Sequence, residues 1–212
     1  MDEKDFSDLE HWINLSNARG IAGSGARETD QDKQTVEKSI MCEFSETVLK
    51  INQRSINNIT SENPPLPDFS CAIGNNNIHI ELTEFIDEKF IKQAKHIRSN
   101  PENPLYDQPL WFDTSFEWFS ELLLKTIEKK EQRYANRDVK IDVLLIWNEA
   151  LEVSIENTNI WLQKIEIPLL NNINSIYFQS WYHPSYLGRP VWSLKEHQDI
   201  GTIVPLLKTT DY

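Results

Sequence analysis

Apolar residues recur every three or four positions along "TVEKSIMCEFSETVLKINQ". Val36, Ile40, Phe44, Val48 and Ile51 share one face, which predicts a helix over about residues 35–53. The segment "SENPPLP" (61–67) stops that helix, because proline removes a backbone donor and pushes its predecessor to extended geometry. The period then changes to two. In "DFSCAI", Phe69, Cys71 and Ile73 alternate with Asp68, Ser70 and Ala72. In "IHIELTEF", Ile78, Ile80 and Leu82 point one way while His79, Glu81 and Thr83 point the other. With "GNNN" as the turn between them, the two strands predict a hairpin.

Beyond the hairpin, "IDEKFIKQAKHI" reads as a short helix, followed by a Pro/Asn-rich loop, "SNPENPLYDQP". Thr114 and Glu117 fit a capping box that opens a long helix through about Tyr134. Its apolar stripe runs Phe116, Phe119, Leu123, Ile127 and Tyr134, with one position of the stripe held by Lys130. "KIDVLLIWN" (140–148) is a near-continuous apolar run, the mark of a central strand covered on both faces. "IWLQKIEIPLLNNI" reads as helical until Pro168 interrupts it, and "SIYFQSWY" and "PVWSL" read as strands. These elements predict an α/β fold: a central mixed sheet flanked by helices on both faces. Residues 35–212 read as one domain behind a polar arm, 1–34, that holds Gly20, Gly23 and Gly25. The arm lacks the preceding strand and the following Lys-Ser/Thr of a phosphate-cradling loop, so it reads as a linker.

Composition narrows the class. The chain has 212 residues, 39% of them hydrophobic, with seven tryptophans and nine phenylalanines, enough bulk for a real core. Cys42 and Cys71 form neither a disulfide framework nor a zinc-ligand spacing. The acidic N-terminus has no signal-like apolar run, and no window reaches the roughly 18–20 apolar residues of a membrane helix, so a soluble cytoplasmic protein is expected. A net charge of −12 counts against a tight, non-specific nucleic-acid binder. It says little against an enzyme that acts on nucleic acid, because a local basic face survives inside an acidic average.

A hard divalent cation that helps water attack a phosphodiester needs oxygen ligands, typically one or two carboxylates with carbonyls and waters. Asp68 and Glu81 lie on opposite arms of the hairpin and can face the same side, with the Leu82 carbonyl as a further ligand. His79 and Thr83 share the Glu81 face. "PDF", a strand and turn, and then "IELT" resemble the P-D…(D/E)-x-K core of the restriction-endonuclease-like nuclease superfamily, over roughly residues 35–148 and up to 192. The resemblance implies a restriction-endonuclease-like core and a metal-dependent nuclease hydrolysing DNA or RNA with Mg²⁺ or Mn²⁺. Asp68 and Glu81 would bind the metal, with Glu43 of the first helix assisting directly or through a water; Glu46 is the weaker choice. Nucleic acid, DNA foremost, is the implied partner, and a homodimer is compatible with it because many nucleases of this fold cut as dimers.

The departure is Thr83, which stands where the family lysine would be and carries no charge. Either the site is dead or the cation comes from elsewhere. Lys130, in the inward stripe of its helix, is the candidate to orient the nucleophile, with Tyr134 and His79 beside the substrate. Blander readings stand beside these. Asp68 caps a turn, Glu81 is an edge-strand charge, Lys130 snorkels to solvent, and His79 is a half-buried strand residue. The aromatics of "LWFDTSFEWF" are core, or a stacking platform for bases. In "WYHPSYLGRPVW", Tyr182, His183, Tyr186 and Arg189 can contact a ligand. The rival function is a catalytically inactive nuclease-fold protein that binds a protein partner as an immunity or regulatory module. A nucleotide-binding protein using the glycine-containing arm ranks third.

Overall fold

The computed structural model describes residues 30–88, 92, 115–137, 139–148, 153–181 and 183–208. The chain divides into two compact units, Met1–Lys38 with Ile86–Trp111, and Ser39–Phe85 with Phe112–Tyr212. The first lies largely outside the described residues, as do nearly all of the arm expected at 1–34 and most of the short helix expected after the hairpin. The second unit carries every site discussed below.

Helix α1 spans Asp30–Asn52, and the strands are β1 (Ile56–Ser61), β2 (Phe69–Ile73) and β3 (Asn76–Glu84). Helix α2 (Phe116–Ala135), β4 (Ile141–Trp147), α3 (Ile155–Leu162), β5 (Ile173–Gln179) and β6 (Val191–Lys195) complete the order. The six strands form one sheet in sequence order, β1 to β6. Strands β1–β3 are an antiparallel meander, β3, β4 and β5 are parallel, and β6 returns antiparallel. Each parallel step needs a crossover, and α2 and α3 supply the two. The sheet is therefore mixed, and the fold α/β, as the pattern predicted.

The register fixes which residues share a face. Phe69 pairs with Ile80, Glu81 with Leu144, and Leu144 with Ile176. Neighbouring paired positions point alike and successive ones alternate, so Glu81, Thr83, Leu144, Ile146, Ile176 and Phe178 share one face. That face meets Phe119, Leu123 and Ile127 of α2 and Ile155 and Leu162 of α3 in one buried cluster. Leu82, Leu145 and Tyr177 point to the other face, where Phe44 of α1 packs on Tyr177 with ring centroids 5.5 Å apart. Thus α1 and α2 cover opposite faces of the sheet.

Several boundaries differ from expectation. Helix α1 begins five residues before Thr35, in polar sequence that carries no apolar period. Helix α2 is capped by Ser115, whose hydroxyl accepts the Trp118 N–H, so the helix opens one residue after the expected Thr114 cap; Thr114 itself lies outside the described residues. Helix α3 starts earlier than "IWLQ", because Ser154 caps it by accepting from Asn157 N–H, and it ends at Leu162. Pro168 and the extended geometry it imposes on its predecessor keep residues 165–170 out of the helix. Strand β1 was not expected. Only Ile56 of its six residues is buried, and a bulge with Asn58 at φ 52° breaks its register, so it has no apolar alternation to detect.

One glycine is required by packing. Gly188, at φ +82°, lies so close to α1 that an added Cβ would stand 2.8 Å from the Thr47 hydroxyl oxygen. Both the conformation and the contact oppose a side chain, so Gly188→Ala is expected to cost about 1–3 kcal/mol. Urea denaturation measures this, and an unchanged midpoint would contradict it. Among the described residues no helix is long and apolar enough to cross a membrane.

Candidate functional site

The hairpin register brings the two acids together. Asp68 immediately precedes β2, whose first residue pairs with Ile80, so it lies level with Glu81. Its backbone N–H donates to Glu81 Oε2 (3.3 Å), and its own Oδ2 accepts the Leu82 N–H (2.9 Å). The second contact ends the β2–β3 ladder where Pro67 leads the chain away from the sheet, so a structural role for Asp68 coexists with any chemical one.

Glu81 is 1% exposed. A buried carboxylate is costly unless paired and hydrogen-bonded, and here both oxygens are engaged. Lys130 Nζ bonds Glu81 Oε1 and also donates to the Leu82 carbonyl (3.2 Å). The Tyr134 hydroxyl donates to Glu81 Oε2. Lys130 and Tyr134 sit four residues apart on α2, one turn and one face, which is why the stripe containing Phe119, Leu123 and Ile127 delivers both to the same carboxylate. Burial, followed by the hydrogen bond and negative charge of Glu81, pushes the Tyr134 phenol far above its ordinary range, with Arg133 pulling the other way. The Tyr134 phenol is thus a fixed donor rather than a proton carrier.

Arg133 is the member that the sequence pattern did not single out. Its Nη1 lies 3.8 Å from Glu81 Oε1, and its guanidinium stacks over the Tyr134 ring, 5.6 Å from the centroid. Its place three residues from Lys130 in "KKEQRY" is the only signal the sequence offered. Glu81, with Asp68 level beside it, therefore faces two cations, Lys130 and Arg133.

The remaining expected residues are placed as follows. Thr83 lies two residues beyond Glu81 on the same face and is half-buried. His79, two residues before Glu81, is tied to β4: its N–H donates to Asp142 Oδ2 (2.8 Å), and its Nδ1 lies 3.6 Å from the same oxygen. Glu43 does not join the acids. It projects from α1, on the opposite face, into an ion pair with Arg189 (Nε to Oε2 2.5 Å, Nη2 to Oε1 3.2 Å) and accepts from Ser39 Oγ (3.3 Å). Arg189, read from sequence as a ligand contact, is buried and spent on Glu43 and the Ser180 carbonyl. His183 packs against Trp181 at a tilt and meets Tyr186 edge to face, and Tyr182 lies outside the described residues. Glu46 pairs with Lys50 at the surface. Cys71 is buried in β2, and burial, helped by the charge of Asp142, pushes its thiol up to about 12, which makes it unreactive.

The oxygens of Asp68, Glu81 and the Leu82 carbonyl are the donor type that a hard cation takes while keeping several waters. Among the described residues no group of three or more His, Cys, Asp or Glu side chains could hold a metal ion, so a cation here would rest on these two carboxylates and one carbonyl. Glu43, engaged by Arg189, is not among them. A groove lined by Ile165, Ile167, Pro168, Leu169, Leu170, Leu194 and Lys195 contains none of these groups. No protein-family model, no curated protein and no solved structure matches the chain.

Proposed function

We propose that the protein is a metal-dependent nuclease with a restriction-endonuclease-like core, hydrolysing phosphodiester bonds of DNA or RNA. The observation that carries this reading is the convergence of Lys130 on Glu81. The charge that Thr83 cannot provide is supplied from α2, and it reaches the carboxylate that Asp68 also touches. The element order supports the fold assignment: a helix, three antiparallel strands, a helix, and a fourth strand parallel to the third.

In this reading Asp68, Glu81 and the Leu82 carbonyl would hold Mg²⁺ or Mn²⁺, which when bound would supply Lewis-acid activation of phosphate and water. Lys130 donates to a non-bridging phosphate oxygen or to the attacking water, offsetting charge that builds at phosphorus. Tyr134 fixes Glu81 by holding Oε2, and Thr83 offers a neutral hydroxyl along the same face.

A second reading is favoured by one observation. Both Glu81 oxygens already carry protein donors, which suits a catalytically silent module that binds a partner protein as an immunity or regulatory subunit. Incubation with plasmid, linear and single-stranded DNA and with RNA, in Mg²⁺ or Mn²⁺, decides between them. The nuclease reading expects cation-dependent cleavage that falls by about 10³ in Asp68→Ala. Wild-type protein that cuts none of these substrates leaves the silent module standing.

A further inference from the structure

The position of the Lys130 ammonium has a consequence for cation binding. Its Nζ bonds Glu81 Oε1 and the Leu82 carbonyl together, and both are oxygens that the proposed function gives to a divalent ion. An ammonium takes oxygen acceptors at about 2.8–3.2 Å, whereas Mg²⁺ takes them at about 2.0–2.1 Å and demands near-octahedral order. One pair of oxygens cannot serve both cations, and their mutual repulsion in a mostly buried site is severe.

We propose that Lys130 is a placeholder: in cation-free protein its ammonium occupies the coordination position of the divalent ion, and the ion binds only by displacing it. This rests on the reading of Asp68, Glu81 and the Leu82 carbonyl as cation ligands, and adds to it how the site is kept folded and gated without an ion.

Three features fit. The Lys130 side chain is 16% exposed, so a swing about its own methylenes carries the charge outward without moving α2. Glu81 Oε2 stays anchored by the Tyr134 hydroxyl and the Asp68 N–H, so the carboxylate keeps its place when Nζ leaves Oε1. Without either cation, a carboxylate that is 1% exposed would keep, among the described residues, Arg133 at 3.8 Å as its ion-pair partner, so an ammonium in residence holds the site together between ligand-binding events. Displaced from Glu81, the same Nζ lies beside the ion and can meet an incoming phosphate, so one lysine stabilises the resting site and serves the loaded one.

The test is Mn²⁺ and Mg²⁺ binding by calorimetry, with loss of the free Mn²⁺ paramagnetic signal as a second readout, on wild type, Lys130→Met and Lys130→Gln. Removing the competing charge is expected to tighten Mn²⁺ binding by about tenfold in both variants. In chelator both variants should melt below wild type, and added Mn²⁺ should raise their melting temperatures more than it raises wild type's. Adding Glu81→Gln to either variant should abolish the gain. Should Lys130→Met fail to fold in chelator, its recovery on Mn²⁺ titration and the Lys130→Gln isotherm carry the same information. Affinity in the variants equal to or weaker than wild type, or no binding in any of them, overturns the placeholder. Tighter binding in the variants with no cleavage by wild type would keep the placeholder and remove the nuclease reading. Cleavage by wild type with unchanged variant affinity would do the reverse.

Discussion

Arg189→Met is expected to destabilise the protein by about 3–5 kcal/mol, the cost of leaving one partner of a buried ion pair behind. Arg189 is 4% exposed, and its guanidinium meets Glu43 through both Nε and Nη2, a forked contact that a lysine could not reproduce. Its backbone carbonyl accepts from Thr47 Oγ1 (3.4 Å), so the segment is joined to α1 twice. Replacing both partners, as in Glu43→Leu with Arg189→Met, should recover much of the loss, because well-packed apolar side chains are often no worse than a buried pair. Urea denaturation at constant slope measures both changes. The same residues bear on the proposed function: if the protein is a nuclease, Glu43→Gln should leave cleavage within about threefold of wild type, whereas removal of a metal-ligating or ligand-orienting group costs tenfold or more. A loss of that size with folding intact would return Glu43 to the site.

The contrast between Glu43 and Lys130 marks how far the sequence could be read. Lys130 was legible because a charged residue interrupts an otherwise apolar period, and the period itself says which way the side chain points. The hairpin was legible for a similar reason: alternation over two half-buried strands fixes register, and register sets Asp68 level with Glu81. The position of Glu43 was not legible. Its helix has a clear apolar face, but which side of the sheet that face covers depends on the path of the chain between elements, not on the helix's own period. Arg133 escaped because it lies on the exposed side of α2 and reaches Glu81 only by the length of its side chain. Strand β1 escaped because an edge strand with one buried residue has nothing to alternate. In each case the local pattern states what a segment hides, while the identity of what it hides against is set by topology.

Glu81→Ala carries the largest combined effect, because the proposed nuclease function asks one carboxylate to do two jobs. As a structural group it accepts from Lys130, the Tyr134 hydroxyl and the Asp68 N–H, and its removal takes that partner from all three, leaving Lys130 only the Leu82 carbonyl among the contacts described. A stability loss of about 3–5 kcal/mol is expected on that ground alone. Under the proposed function it is also a cation ligand, and its loss should lower cleavage by at least about 10³ under conditions where the variant is still folded. Glu81→Gln separates the two. The amide oxygen can still accept from Tyr134 and Asp68, while the amide nitrogen faces Lys130 donor against donor, so part of the stability loss persists at nearly unchanged volume. A neutral amide is also a poor ligand for a hard cation, so cleavage should fall as far as in Glu81→Ala. Folding is read by circular dichroism and denaturant titration, and cleavage on the most sensitive nucleic-acid substrate found for wild type. If Glu81→Ala folds and cuts at the wild-type rate, the carboxylate is only the counter-ion of Lys130, and the chemistry lies elsewhere in the chain.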